Sequence, residues 1–275
     1  MQKKDELGVL IEVGPQDWQI YQRGTDDTAT IYLAGRWLTP QPHKKAIVAV
    51  RLVRESDGEP VLRSLNWVRA TTTRTVRWQV QLADVSAGGL YRIETALQLD
   101  DGPVEWGQRG DMVHHIGVGD IWLITGQSNS EGHGKSPAPD APEFGVHMFH
   151  ARGQWALATH PLGDSIDTRY LPNRLGSNPS HSPWLVFGRT LRAELGVPVG
   201  LIPASLGCCS TTCCVMCTMP GSRAWRRLVS GRIGRFGGTA QGLRAQLQTL
   251  CRGPAQVSWV TATPGDHDAT EPLGR

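Results

Sequence analysis

The chain has 275 residues, of which 39% are hydrophobic, enough for one large domain or two ordinary ones with a real core. Its formal net charge of +3 is too small to argue for a nucleic-acid or membrane surface. No stretch approaches the roughly 20 apolar residues of a membrane helix, and the first residues lack the apolar core of a signal peptide. We therefore expect a soluble protein that is cytoplasmic as written, or extracellular or periplasmic if the start codon is misassigned.

From about residue 8 to residue 117 the sequence is typical of short β-strands separated by turns. Runs such as TATIYLAG, AIVAVRLV and LYRIETALQL are divided by DD, ESDGEP, SAGG and DDGP. In RTVRWQVQL, apolar residues occupy every second position from Val76 to Leu82, so one face of this strand is expected to be buried. No helical period competes over this span, and we predict an antiparallel β-sandwich of roughly 110 residues.

The predicted sandwich contains five tryptophans. Exposed tryptophans can stack on sugars, but tryptophan is mostly buried in folded proteins, and we favour positions in the core. They are Trp18, Trp37, Trp67, Trp78 and Trp106.

Residues 118–207 have the pattern of an α/β fold. The continuous apolar run 121–124 predicts a strand covered on both faces, as in a parallel sheet. Ser182 as N-cap, Pro183 in the first turn and a closing Gly196 predict a helix over WLVFGRTLRAEL, with apolar positions at 184, 187, 191 and 195. A second apolar run, VPVGLIPAS, follows, and strand, helix and strand together predict a βαβ unit with a parallel sheet.

Ser128 and Gly207 each follow one of these two strands. Ligands of such sheets bind at the carboxyl ends of the strands, so both residues are expected at the binding edge. There the Ser128 hydroxyl can act as a nucleophile, and backbone N–H groups can bind an oxyanion. The alternative is that Ser128 only caps the next helix. The nucleophile elbow G-x-S-x-G of α/β-hydrolases is excluded, because residue 130 is serine.

The block GDIWLITGQSNS resembles the first motif of the sialate O-acetylesterase group of SGNH hydrolases. SAGGLYRIETAL before it, and SPWLVFGRTLRAELGVPVGLIPASLG after it, are also similar to this family, so that the resemblance covers roughly residues 10–207. It implies a three-layer α/β/α domain behind an all-β sandwich and an esterase that removes O-acetyl groups from sugars. It also implies that Ser128 is the nucleophile and that Gly207 is the oxyanion-hole glycine.

The resemblance stops after Gly207. Cys208 and Cys209 stand where the family has a second glycine and a small polar residue, and we find no counterpart of its tryptophan-containing third block. The family's late Asp-x-x-His motif, which supplies the general base, is also missing. His267 is the one histidine after Gly207, and its neighbour Asp266 does not have the required spacing.

Residues 208–275 also differ in composition from the rest of the chain. They hold all six cysteines and carry a net charge of +5, whereas residues 1–207 carry −2. We favour the interpretation that this tail is translated out of frame, which would leave the domain incomplete and the enzyme inactive. A cysteine metal site is disfavoured because adjacent cysteines crowd one another. A genuine but diverged tail is the third interpretation, with His133, His181 or His267 as the base.

We therefore predict three segments: a β-sandwich over 1–117, the first part of an SGNH-type α/β domain over 118–207, and an anomalous tail over 208–275. The predicted function is carbohydrate O-acetylester hydrolysis with catalytic Ser128 and Gly207. We expect no cofactor or metal, and as partner an O-acetylated carbohydrate rather than nucleic acid or a membrane. The alternative function is non-catalytic carbohydrate binding.

Overall fold

A computed structural model describes residues 7–39, 45–72, 76–100, 102–125, 128–134, 140–168, 179–205 and 258–261. In these residues the fold is mostly β-sheet, with one helix of three turns and one of a single turn. The strands are β1 Gly8–Val13, β2 Ile20–Gln22, β3 Thr28–Leu38, β4 Ala46–Arg54, β5 Val68–Arg69, β6 Thr71–Thr72, β7 Arg77–Ser86, β8 Gly88–Leu99, β9 Gln108–Thr125, β10 Val146–His150, β11 Gln154–Leu157, β12 Val199–Pro203 and β13 Ser258–Thr261. The helices are α1 Ser128–Glu131 and α2 Trp184–Leu195.

The front of the molecule consists of two sheets that share one apolar core. One sheet has the strand order β1-β3-β7-β6, and the other runs from β9 through β8 and β4 to β5. Side chains from both sheets are fully or almost fully buried in this core, among them Leu33 and Trp78 from the first sheet and Val50 and Ile93 from the second. Each such side chain contributes roughly 1.5–3 kcal/mol by leaving water.

Strand β7 has the alternating burial that its sequence predicts. Trp78, Val80 and Leu82 are buried, while the arginine and glutamines between them are exposed. Val76 departs from the prediction: it lies just before β7, outside the paired register, and its side chain is 42% exposed. The alternation therefore begins at the first paired residue of the strand.

The 18-residue strand β9 joins the front of the molecule to its second half. Its first part pairs antiparallel with β8, from Leu97 opposite Gln108 to Gly88 opposite Val118. Its last part pairs parallel with β12, where Val199 lies opposite Asp120. The predicted boundary between residues 117 and 118 thus falls inside one continuous strand.

The second half of β9 lies in a parallel sheet with the order β11-β10-β12-β9. β10 and β12 run parallel to β9, and β11 is antiparallel at the edge. On the other side of β9, the short strand β13 pairs with it in parallel, with Trp259 opposite Leu123. The sequence did not predict β10 and β11, which lie in the connection between β9 and α2, because they are only five and four residues long.

Both faces of β9 are covered at residues 121–124. Ile124 packs with Val146, Leu185 and Leu201 on the face that α2 covers. Ile121 and Leu123 pack on the opposite face with Ile20 and Trp155. In the described residues α2 is the one helix longer than a single turn, so the three-layer arrangement stays a prediction.

Helix α2 ends as its sequence predicts but begins differently. Gly196 takes a left-handed conformation with φ 68°, and its N–H donates to the Arg192 carbonyl. Ser182 is not the N-cap, because Pro183 occupies that position and its backbone is already α-helical. The Ser182 hydroxyl is buried, and no residue that the structure describes forms a hydrogen bond with it. Leu195, predicted to be on the apolar face, is 42% exposed in the last turn.

Candidate active site

The carboxyl end of β9 leads directly into the segment that carries Ser128. β9 ends at Thr125, residues 126 and 127 lie outside the described part of the chain, and the single-turn helix α1 begins at Ser128 itself. The backbone of Ser128 is therefore at the edge of the parallel sheet where the sequence places it.

The carboxyl end of β12 lies beside α1. The Ala204 N–H donates to the Ile124 carbonyl over 2.8 Å, which extends the β9–β12 pairing by one bond. The buried hydroxyl of Ser205 donates to that of Ser130 over 2.7 Å. Gly207, the second predicted catalytic residue, lies outside the described residues, two positions after Ser205. The structure thus joins the two segments that carry the predicted residues.

The turn after α1 is held by the segment before α2. Gly132 has φ 113°, a conformation that favours glycine, and its carbonyl accepts from the Ser180 N–H over 2.7 Å. The Gly134 N–H donates to the His181 carbonyl over 2.9 Å. The Trp184 indole N–H donates to the Ser130 carbonyl over 2.8 Å. His181, a candidate base in the sequence, is therefore next to the turn after α1.

A buried histidine–carboxylate pair lies close to the same turn. His160 Nε2 is 2.6 Å from Asp140 Oδ2, and the two side chains are 11% and 4% exposed. Because a carboxylate only accepts hydrogen bonds, the contact is made by Nε2–H of the imidazole, and Nδ1 lies on the other side of the ring. Gly163, three residues after His160, abuts the Glu131 carbonyl, which places this segment beside the end of α1.

The imidazole of His160 stacks on that of His181. The ring centroids are 4.5 Å apart and the planes differ by 11°. His160 Nδ1 and both ring nitrogens of His181 are buried and have no hydrogen-bond partner among the described residues. The sequence did not single out Asp140 or His160, because 20 residues separate them and no local motif joins them. Their contact is purely tertiary.

His133, the other upstream candidate base, pairs with the helix that carries Ser128. Its Nε2 lies 3.2 Å from Oε2 of Glu131, whose side chain is fully buried. The His133 side chain is 37% exposed, so that part of this imidazole faces solvent. Compared with His160, its contact to a carboxylate is longer and more hydrated.

Two further histidines lie on β10. His150 is buried at the carboxyl end of the strand, and burial together with the positive charge of Arg152 lowers its pKa. His147 lies inside, where its Nδ1–H donates to the Trp18 carbonyl over 2.6 Å. Burial lowers the pKa of His147 from 6.5 to about 4. Both rings are therefore neutral near pH 7.

Other predicted features lie outside the described residues. These are His267, Asp266 and the six cysteines. Among the residues that the structure does describe, no group of three His, Cys, Asp or Glu side chains is arranged to hold a metal ion. In the described helices, none is long and apolar enough to cross a membrane.

The five tryptophans of the front half differ in exposure. Trp78 is 2% exposed, and Trp18 and Trp37 are partly buried against core clusters, as expected for core residues. Trp67 is half-buried between two arginines. Trp106 contradicts the prediction of burial, because it lies in a single 3₁₀ turn before β9 and is 84% exposed.

Comparison with known proteins gives one family and eight chains of solved structures, of which two are described here. Residues 118–216 match the family described as carbohydrate esterase, sialic acid-specific acetylesterase. A carbohydrate acetylesterase from Xanthomonas citri is 22% identical with a TM-score of 0.39, and the match covers 72% of this chain and 40% of that one. A protein from Arabidopsis thaliana is also 22% identical, with a TM-score of 0.33, and the match covers 52% of this chain and 56% of that one. A search of curated proteins found no match.

The family match begins where β9 enters the parallel sheet and continues past Gly207 to residue 216. It includes α1, the Asp140–His160 pair and α2, and so contains the whole candidate site. This match confirms the resemblance carried by GDIWLITGQSNS: residues 118–216 are similar to the sialic acid-specific acetylesterase family of carbohydrate esterases.

Proposed function

We propose that this protein is a carbohydrate O-acetylesterase that uses Ser128 as its nucleophile. The observation that carries the proposal is the junction of β9, α1 and β12. The parallel register and the Ser130–Ser205 hydrogen bond bring together the segments that bear Ser128 and Gly207. A nucleophile and a second oxyanion donor are needed at one point for acyl transfer.

In the proposed reaction, Ser128 Oγ attacks the acetyl carbonyl and loses its proton to a base. The N–H groups of Ser128 and Gly207 bind the oxyanion, and the sugar hydroxyl leaves with the proton returned by the base. Water then attacks the acetyl-enzyme and releases acetate. The substrate is an O-acetylated carbohydrate, in keeping with the family of residues 118–216.

The proposed reaction needs a general base, and the sequence lacks the motif that supplies it in the similar family. The late Asp-x-x-His motif is missing, and the loss of a general base costs several orders of magnitude in rate. We propose that this chain is inactive or nearly so, and that Asp140–His160 supplies what base catalysis remains. In support, it is the shortest histidine–carboxylate contact among the described residues, and the segment that carries His160 lies beside the end of α1.

Labelling with a fluorophosphonate probe tests the nucleophile. We expect slow labelling of the full chain at Ser128, identified by peptide mass spectrometry, and no labelling of Ser128→Ala. Ser64→Ala, an exposed serine of the front half, is the matched control and should label normally. Labelling that survives in Ser128→Ala would remove Ser128 from the proposal. The rate of acetate release from an O-acetylated sialic acid is then measured with an enzymatic acetate assay and compared with the rate of labelling at Ser128.

Non-catalytic carbohydrate binding is the second candidate function. The observation that favours it is the 84% exposure of Trp106. Binding of a glycan with neither labelling nor acetate release would support it over the esterase.

A further inference from the structure

The sheet formed by β5, β4, β8 and the first part of β9 has a strongly basic outer face. In strands β5, β4, β8 and β9, the residues that alternate with the core residues point away from it. Four arginines and one glutamate are on this outer face: Arg69, Arg51, Arg92, Arg109 and Glu94. Glu94 is the one acidic side chain among them, so the face carries a clear positive excess.

The arginines lie in ordered rows across the strands. In one row, Arg69 on β5 lies opposite Ala49, Ala49 opposite Ala96, and Ala96 opposite Arg109 on β9. Arg69 and Arg109 are three strand spacings apart, about 14 Å. The residues between them are alanines, which are 1% and 0% exposed, so the exposed groups of this row are the two guanidinium groups at its ends.

The neighbouring row neutralises only part of this charge. Arg51 and Arg92 both pair with Glu94, at 2.7 Å and 2.6 Å. Burial raises the pKa of the Glu94 carboxyl, but the hydrogen bonds from the two arginines outweigh it, so its net pKa is below the usual range. One carboxylate thus offsets one of two cations here, whereas Arg69 and Arg109 form no ion pair with any described residue.

Two tryptophans accompany the arginines. The Trp67 ring lies 4.6 Å from the guanidinium carbon of Arg51 and 4.9 Å from that of Arg109, and so bridges β4 and β9. Arg109 also donates to the Glu105 carbonyl over 3.4 Å, next to the exposed ring of Trp106. Fixed guanidinium groups recognise carboxylates, and an exposed indole can stack on a sugar ring.

We propose that this face, defined by Arg69, Arg109, Trp67 and Trp106, binds an acidic glycan whose sugar carboxylates contact the arginines while a sugar ring stacks on Trp106. The face is separate from the candidate active site, because Arg109 and Thr125 are at opposite ends of β9, roughly 50 Å of extended strand apart. It would hold a polymeric acidic substrate on the protein independently of hydrolysis.

Binding of polysialic acid to the full chain, carried in the Ser128→Ala background, tests this proposal. Isothermal titration calorimetry should detect binding of polysialic acid and none of neutral dextran. The double variant Arg69→Gln/Arg109→Gln should weaken binding at least about tenfold, because each substitution removes a charge-assisted hydrogen bond between an arginine and a sugar carboxylate. Trp106→Ala should weaken it about threefold or more by removing the stacking surface.

The control is Arg77→Gln, which removes the same charge from the other sheet, where the side chain is 68% exposed. It should leave binding within about twofold of the parent. The proposal is overturned if polysialic acid does not bind or if a single-stranded oligonucleotide binds as tightly. It is also overturned if Arg77→Gln weakens binding as much as the double variant Arg69→Gln/Arg109→Gln. Because Ser128 is absent from every arm, none of these results depends on whether the protein is an esterase.

Discussion

The two halves of β9 differ in what covers them. In the first half, Val113 and Ile116 point into the shared core, while Met112 and Arg109 lie on a face open to water. In the second half, Ile121, Leu123 and Ile124 are all buried, because clusters cover both faces. One strand therefore buries side chains on one face where it is covered once, and on both faces where it is covered twice.

This difference also places the polar groups. In the first half, charged side chains lie along the open face of the strand. In the second half, both faces of β9 are covered by apolar clusters at residues 121–124. The polar groups Ser130, Ser205 and the Asp140–His160 pair lie beyond the carboxyl end of the strand. The candidate chemistry is thus confined to the carboxyl edge, whereas the basic surface spreads over a sheet face.

The largest expected effect comes from removing a side chain in the doubly covered half. Ile124→Ala should lower the free energy of unfolding by about 2–5 kcal/mol, because the cavity would lie inside a closed cluster with α2. Val76→Ala, at a 42% exposed position, should change it by no more than about 0.5 kcal/mol. Urea unfolding followed by tryptophan fluorescence measures both. Equal effects would mean that the second half is not a packed layer.

Several features of the fold could be predicted from the sequence because they depend on local pattern. Alternation in β7, the covering of both faces at 121–124 and the left-handed Gly196 each follow from side-chain spacing or from a single residue's conformational freedom. The failures at Val76 and Leu195 are at element ends, where the periodic pattern continues but the packing does not.

The sequence predicted only part of the candidate site. Ser128 was visible because it follows a buried strand and a recognisable motif. Asp140 and His160 were not, because their contact depends on how the connection between β9 and α2 folds back, through strands of four and five residues. Likewise, the strand Ser258–Thr261 was not recognised, although its Trp259 pairs in parallel register with Leu123. Its tryptophan and its β-branched Val260 and Thr261 were the available signal.

A second prediction concerns pH and the junction between the two halves. His147 on β10 contacts Trp18 from the front half, and burial lowers its pKa to about 4, with the positive charges of His115 and Arg192 adding to the effect. The unfolded state binds a proton near pH 6.5 that the folded state does not. This site's stability is therefore complete above pH 6.5 and falls by up to about 3 kcal/mol towards pH 4.

Urea unfolding at a series of pH values measures this dependence. His147→Leu should flatten the slope between pH 6.5 and pH 4, whatever it does to stability at pH 7. His114→Leu, at a 44% exposed side chain on β9, should keep the slope. An unchanged slope in His147→Leu would assign the pH dependence to other groups.

A third prediction separates the two histidine pairs beside α1. His160→Asn should lower the rate of fluorophosphonate labelling at Ser128 about 10²-fold, because the ring held by Asp140 is the proposed base. His133→Asn should change it little, since that imidazole is more exposed and its carboxylate contact is longer. The opposite ranking of the two variants would make His133 the base.

The smallest expected effect tests the junction at the carboxyl edge itself. Ser205→Ala removes the donor to Ser130 and should lower the free energy of unfolding by about 1 kcal/mol. Because this bond ties the segment before Gly207 to the helix that begins at Ser128, labelling of Ser128 should slow by more than this loss of stability alone would explain. Ser64→Ala, at an exposed position of the front half, should alter neither quantity. If Ser205→Ala lost stability but labelled at the parent rate, the hydrogen bond would serve the fold of this edge and not the placement of the nucleophile.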